Sequence, residues 1–360
     1  LSDVPEISNR KRLSAVGLLS VAVFLAFNAA YWPVHSCQVR NAPENFLMHA
    51  RYLDAQGDRK EALNRLEEGI RQFHPACPEP YQTLLQWRSQ DSARDQKHLA
   101  WLEAAGTFYE ALNGPGETRG TLLVQAADLQ CKSFKLPPIA SDSVRQIASL
   151  MKNLGRLWGV EKPLAELTVK QHVALLSLGA GDTFDLNGII GNTGVKSPVD
   201  ILVQSGGGRM GRECTHILVR NHDYAGGKRG FHGVLLDPKT GQMIQMGLFD
   251  VWQSEDEAER MVRFLEEAPE GAIGAFAVAD EASVNLTAEL VRELHGFGLA
   301  ERTFIHRQPA LFGLHFSFAA IGVKGASPGT ALQAWSPGVF DGCPGHPVTC
   351  GVLRPVEGTP

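Results

Sequence analysis

Residues 227–250 read GKRGFHGVLLDPKTGQMIQMGLFD, and their pattern decides the fold. Two apolar-rich runs, 231–236 and 242–249, flank Asp237-Pro238-Lys239-Thr240-Gly241, a loop whose proline and glycine suit a hairpin. The expectation is a pair of antiparallel strands. Toward the C-terminus, Ser254 with Glu257 three residues on has the form of a capping box, and Ala258, Met261, Val262 and Leu265 fall on one face of a helix. Residues 273–278 (IGAFAV) read as a buried strand. Leu286, Leu290, Val291 and Leu294 stripe a second helix that Gly296 ends, and residues 316–323 form a last strand. The order β-β-α-β-α-β predicts a sheet covered by helices, an α+β sandwich.

N-terminal to this module, residues 179–200 are rich in Gly, Asn and Asp and read as a linker or extended surface loop. The GAGDTF within them has two of the three glycines of a dinucleotide fingerprint and opens no helix, so a phosphate loop is excluded; Gly206-Gly207-Gly208 is excluded on the same grounds. Residues 41–178 carry helical spacing. Leu47, Ala50 and Leu53 precede Gly57-Asp58, and Ala62, Leu63, Leu66 and Ile70 follow, with Pro75 and Pro78 ending the second helix. Ala50 and Ala62 are small enough to let the two helices approach closely. This hairpin at 43–75 resembles a tetratricopeptide repeat, and with one convincing copy the region is a short helical domain rather than a solenoid. Further helices are expected at 96–112, 119–130, 142–157 and 162–177.

Arg10, Lys11 and Arg12 precede an uncharged run, residues 13–32, long enough to cross a hydrocarbon core of roughly 30 Å. It reads as one transmembrane helix. The basic cluster keeps residues 1–12 cytoplasmic, and Tyr31 and Trp32 anchor the opposite interface, so the body is expected outside the cytoplasm. A cleaved signal peptide is the competing reading. A bacterial inner-membrane protein facing the periplasm fits this order, as does a Golgi protein facing the lumen. With 44% hydrophobic residues the chain supports about two domains besides the anchor, and a net charge of -5 without a basic stripe excludes nucleic acid as a partner.

The blocks 227–250, 251–298 (VWQSEDEAERMVRFLEEAPEGAIGAFAVADEASVNLTAELVRELHGFG) and 319–325 (AAIGVKG) resemble, in that order, the interleukin-like epithelial-mesenchymal-transition inducer (ILEI) domain, also called the GG domain. The resemblance spans about 198–345. It implies an α/β sandwich over 201–345, with residues 346–360 as a tail. VQSGGGRMGREC corresponds to a glycine-containing entry strand that ends in Cys214, and GVFDGCPGHP to a tail carrying Cys343, which implies a Cys214–Cys343 disulfide. A local Cys343–Cys350 bridge, leaving Cys214 for Cys131, is the alternative. All six cysteines, Cys37, Cys77, Cys131, Cys214, Cys343 and Cys350, follow the apolar segment, and an even count outside the cytoplasm favours disulfides, with buried free thiols as the other reading.

Members of this family are mostly non-catalytic; some look like secreted signalling factors and one forms the sugar-binding stem of a Golgi glycosyltransferase. That stem implies a sugar-binding Asp after a central strand, a position held here by Asp280. It also implies an aromatic-Arg-Asp-Ser/Thr-Trp motif, which here reads Leu314-His315-Phe316-Ser317-Phe318. His315 and Phe316 in place of Arg and Asp put inherited sugar recognition in doubt. Asp280, His315, Phe316 and Phe318 are the candidate binding surface.

No catalytic constellation is expected. Asp280 and Glu281 are adjacent, so in a strand they point to opposite faces; His232, His295, His306 and His315 lack a ligand spacing. Cys343, His346 and Cys350 lack a fourth ligand for zinc, and neither metal nor cofactor is expected. Asn285-Leu286-Thr287 has the form of a glycosylation acceptor, although Asn285 sits where a helix cap is expected. The expected function is a membrane-anchored extracytoplasmic scaffold, a structural subunit whose partners are other membrane proteins and, through 13–32, the bilayer. The alternative is an anchored glycan-binding module.

Overall fold

The computed structural model describes residues 43–73, 75–90, 95–132, 135–178, 184–211, 213–220, 222–300, 302–303, 309–310, 313–336 and 345–356. The tail 1–12, the apolar segment 13–32, Cys37, His306 and Cys343 lie outside the described residues. Among the described residues no helix is long and apolar enough to cross a membrane.

The helical lobe begins with α1 (Pro43–Ala55) and α2 (Arg59–Phe73), joined through Gly57 at φ 86°. That left-handed backbone costs a glycine nothing, and Asp58 Oδ1 accepts from Glu61 N at the start of α2. Ala50 and Ala62 are both buried at the crossing, as their size requires. Next come α3 (Glu79–Arg88), α4 (Gln96–Asn113), α5 (Gly116–Cys131) and α6 (Ser141–Trp158). Residues 162–177 are not one helix. They split into α7 (Glu161–Ala165) and α8 (Val169–Leu176), because Thr168 and Gln171 form a capping box that starts a new helix. Tyr81 stacks on Tyr109 at 5.2 Å in the core of the lobe.

The rest of the chain builds two packed sheets, which the parallel pairing of Gly206 with Ala279 and Gly207 with Asp280 joins into one ten-stranded hydrogen-bonded system among the described residues. The first runs β1 (Phe184–Asp185), β12 (Val348–Val352), β2 (Ile201–Gly207), β3 (His216–Val219) and β4 (His222–Asp223). The second is antiparallel and runs β6 (Met243–Phe249), β5 (Gly230–Leu236), β7 (Ile273–Asp280), β10 (Ser317–Val323) and β11 (Leu332–Ser336). A separate pair, β8 (Arg302–Thr303) and β9 (Pro309–Ala310), precedes β10. Strict alternation sorts the side chains. Ile273, Ala275 and Ala277 of β7 point between the sheets, with Ile201 and Val203 of β2 opposite. Phe276 and Val278 point the other way, under α9 (Glu255–Glu266) and α10 (Ala288–His295).

Two sequence expectations change here. Residues 346–360 are not a plain tail, since β12 is hydrogen-bonded between β1 and β2 and sends Val348, Cys350 and Val352 into the core between the sheets. Within 179–200, β1 forms an edge of the first sheet and Ile190 is buried in the same core. The outer face of the first sheet is covered by the helical lobe, whose core takes in Leu202, Leu218, Cys214 and Leu353.

Buried Asp200 fastens that junction. It accepts from the Ser143 hydroxyl of α6, and from Arg354 N at 2.9 Å and Arg354 Nε at 3.3 Å. Asp200→Ala leaves a buried hydroxyl and a backbone N–H without an acceptor and is expected to destabilise the protein by about 2 kcal/mol. Urea unfolding checks this, and Ser143→Ala, which removes one donor only, should cost less.

Candidate functional site

The sheets meet where β7 ends. β7 and β10 pair from Ile273↔Val323 to Ala277↔Ala319 and then part. The end of β2 takes up the space, running parallel to β7 through Gly206↔Ala279 and Gly207↔Asp280. Hydroxyl groups close the seam: Ser205 Oγ donates to Val278 O at 2.6 Å and accepts from Phe318 N at 2.7 Å, and Gly207 N donates to Ser317 Oγ at 2.9 Å. A Cβ on Gly207 would overlap the backbone of His315 and Phe316, and one on Gly211 the backbone of Asp280. The glycine run is a packing requirement of this crossing.

Asp280 and His315 face each other across it, and both are non-glycine residues at positive φ, 64° and 56°. Such backbone persists only where the surroundings impose it, and it concentrates at functional sites. The turn also overrides the expectation that Asp280 and Glu281 point apart. His315 Nδ1 lies 3.7 Å from Asp280 Oδ1 and 3.4 Å from Glu281 Oε2. With Asp280 O a further 3.4 Å acceptor, the neighbours assign the proton to Nδ1. Glu281 is only 1% exposed, and its Oε2 also accepts from His315 N while Oε1 accepts from Ser283 N and the Ser283 hydroxyl. It holds the site together from below, whereas Asp280 and His315 reach solvent.

The register Gly230↔Ala279 places a second polar group beside the first. Arg229 makes a bidentate pair with Asp250, Nη2 to Oδ2 at 2.8 Å, and its guanidinium lies 4.1 Å over the ring of Trp252. The Asp250 carboxylate raises the Arg229 pKa, with lesser contributions from the charges of Asp280 and Glu281. Beside this pair is an open cavity of about 360 Å³ lined by Gly227, Lys228, Arg229, Leu248, Asp250 and Glu257. Trp252, which Arg229 covers, is exposed, as are Val284 and Leu314, close in sequence to Glu281 and His315.

Of the candidate surface residues, Asp280 and His315 are therefore brought together at the surface. Phe318 is fully buried near Phe231, and Phe316 is largely buried and stacks on Trp335 at 6.1 Å, so these two belong to the core. Arg229, Asp250 and Trp252 are additional members that sequence spacing does not single out. The capping box expected at Ser254 is absent: Glu257 Oε2 accepts from Asp250 N at 3.1 Å, behind the Arg229 pair, and its other oxygen pairs with Arg260. Asn285 is not a cap either. Thr287 caps α10, and Asn285 Nδ2 donates to Trp252 O at 3.2 Å.

The described cysteines, Cys77, Cys131, Cys214 and Cys350, are thiols, so the implied Cys214–Cys343 disulfide is not formed at Cys214, and the alternative pairings at Cys350 and between Cys131 and Cys214 are not formed either. Cys131 ends α5, whereas Cys214 is buried under the first sheet, where burial pushes its pKa up to about 12. Cys350 lies between the sheets and His346 against Tyr109 of α4, so they do not converge on an ion. Among the described residues no group of three His, Cys, Asp or Glu side chains is placed to hold a metal.

Residues 229–326 match the family model described as "Interleukin-like EMT inducer". The chain is 32% identical over 107 residues to "Cell migration-inducing and hyaluronan-binding protein" of Homo sapiens, and 31% identical over 107 residues to the protein of that name from Mus musculus. Each match covers 30% of this chain and 7% of the relative, so the chain spans a small part of the length of these relatives. The matched segment contains β5, β6, α9, β7, α10 and β10, together with Arg229, Asp250, Asp280 and His315, and residues 229–326 are accordingly an ILEI domain.

Proposed function

We propose that this chain is a non-catalytic binding protein whose ILEI domain holds a glycan at Asp280, His315, Arg229, Asp250 and Trp252. The observation that carries the reading is the placement of Asp280 and His315, both fixed at positive φ, near the planar Arg229–Asp250 pair and the exposed Trp252 indole that Arg229 covers. Sugar hydroxyls need both donors and acceptors at set positions, and a prepositioned site lowers the ordering cost of binding. The relatives' printed name, hyaluronan-binding, supports a glycan as the ligand class. A non-catalytic role agrees with Glu281, whose carboxylate is buried and occupied by His315 and Ser283. The apolar segment 13–32 would tether the module on the outer side of a membrane.

The test is a glycan array followed by calorimetry on the purified full chain. Asp280→Ala is expected to weaken binding at least about tenfold, since charge-assisted hydrogen bonds are worth about 1.5–3 kcal/mol. A wild-type chain that binds no glycan would sink this reading. The exposure of Trp252, Val284 and Leu314 favours a second one, in which the same end of the domain docks a protein and the chain is a scaffold in a membrane complex. Co-purification with a fixed-stoichiometry partner, lost on Trp252→Ala, would support it.

A further inference from the structure

The four outer strands of the two sheets are not alike. In the first sheet β1 and β4 are two residues each, and both carry an aspartate, Asp185 and Asp223. In the second, β11 is buried along nearly its whole length. Short strands, charges and cover are the usual means of keeping an edge from pairing. β6 has none of them. It is seven residues long, MIQMGLF, without charge or proline, and among the described residues it pairs only with β5. Met243, Ile244 and Met246 on it are 41%, 43% and 57% exposed.

We propose that β6 is a homodimer edge, two copies pairing antiparallel about a twofold axis at Met246 so that their second sheets become continuous. A second copy fits this edge by charge. An uncharged strand offers an incoming chain no counter-ion, and β6 brought against itself sets Met246 opposite Met246, Ile244 opposite Leu248 and Met243 opposite Phe249. The remaining pair is Gln245 with Gly247, so no charge is left facing an apolar side chain. In antiparallel pairing, opposed residues share a face of the sheet, so Ile244, Met246 and Leu248 of both copies form one apolar row. The outward N–H and C=O groups of each strand satisfy those of the other. The proposal does not depend on the glycan reading, although Leu248 at the end of the row also lines the cavity beside the Arg229–Asp250 pair.

The test is sedimentation of the full chain in detergent over a hundredfold concentration range. The wild type is expected to pass from monomer to dimer. Met246→Lys places two like charges directly opposite each other at the axis and should weaken the dimer at least about tenfold, as should Met246→Glu. An equimolar mixture of the two variants should dimerise again. A wild type that stays monomeric, or a dimer indifferent to Met246→Lys, overturns the proposal, and a mixture that stays monomeric overturns the axis at Met246. Hydrogen exchange on the wild type serves if the variants fold poorly: the amides of 244–248 should gain protection as concentration rises. Protection independent of concentration would mean that another segment of the same chain covers the edge, which also overturns the proposal.

Discussion

Gly207→Ala is expected to destabilise the protein by about 3 kcal/mol or more and to abolish ligand binding at the ILEI-domain end. The added methyl would meet backbone atoms of His315 and Phe316 rather than the end of a flexible side chain. Overpacking that a side-chain rotation can relieve costs about 1–3 kcal/mol, and here relief requires the lead into β10 to move. That movement would separate Gly207 N from Ser317 Oγ and His315 from Glu281, so stability and the site fail together. Gly211→Ala should behave similarly, because its methyl would meet the backbone of Asp280. Gly226→Ala is the control. It has open space around it and no positive φ, and should change stability by no more than about 0.5 kcal/mol. Thermal and urea unfolding of the three variants, read with the binding assay, checks the claim.

These glycines show what is legible in sequence and what is not. β5, β6, α9, β7, α10 and β10 can be read directly, because β7 alternates between two apolar environments and α9 and α10 carry clear stripes, whereas the short pair β8–β9 is not read. Gly206-Gly207-Gly208 reads as a rejected phosphate loop and, through the resemblance, as part of an entry strand, but the reason for its glycines depends on β10, more than a hundred residues away. The alternation Val348, Cys350, Val352 was a local signal for β12. A strand of five residues after a proline nevertheless reads as tail until a partner on each side is known. Thr168 and Gln171 likewise announced a helix start inside a stretch whose apolar spacing looked continuous.

The same distinction governs the site. Asp280 and His315 were found through the family motif. The joint approach of Asp280 and Glu281 to His315 is hidden, because a strand pattern predicts opposite faces and the positive φ at Asp280 reverses it. Arg229, Asp250 and Trp252 come from the ends of β5 and β6, and the register of those strands brings them to the end of β7. No spacing rule within either segment encodes that meeting. The family match locates the domain, while the polar network that would choose a ligand follows from the register and from the seam with β2.

Lowering the pH from 7.5 to 4 is expected to weaken the junction between the helical lobe and the first sheet by about 3 kcal/mol through His346 alone. The ring is buried against Phe108 and Tyr109 of α4. Its Nδ1 donates to Pro347 O at 3.0 Å, which leaves Nε2 to accept from the Tyr109 hydroxyl at 3.3 Å. Ser336 Oγ receives its backbone N–H at 3.2 Å, and these neighbours carry no charge. Burial lowers the His346 pKa from 6.5 to about 4. The neutral ring therefore contributes full stability above pH 6.5. Between 6.5 and 4 the unfolded chain takes up a proton that the folded chain refuses, so stability falls as pH falls, and below 4 the loss levels off. A drop of this size corresponds to about 3 kcal/mol. Burial lowers the pKa of His172 and His232 too, so their contributions have the same sign. His346→Gln keeps an acceptor near Tyr109 but cannot titrate, and its urea midpoint should fall much less between pH 7.5 and 4. Equal slopes for wild type and variant would show that His346 does not carry the acid sensitivity. A flattened slope would assign the acid sensitivity of the fold to proton uptake at His346.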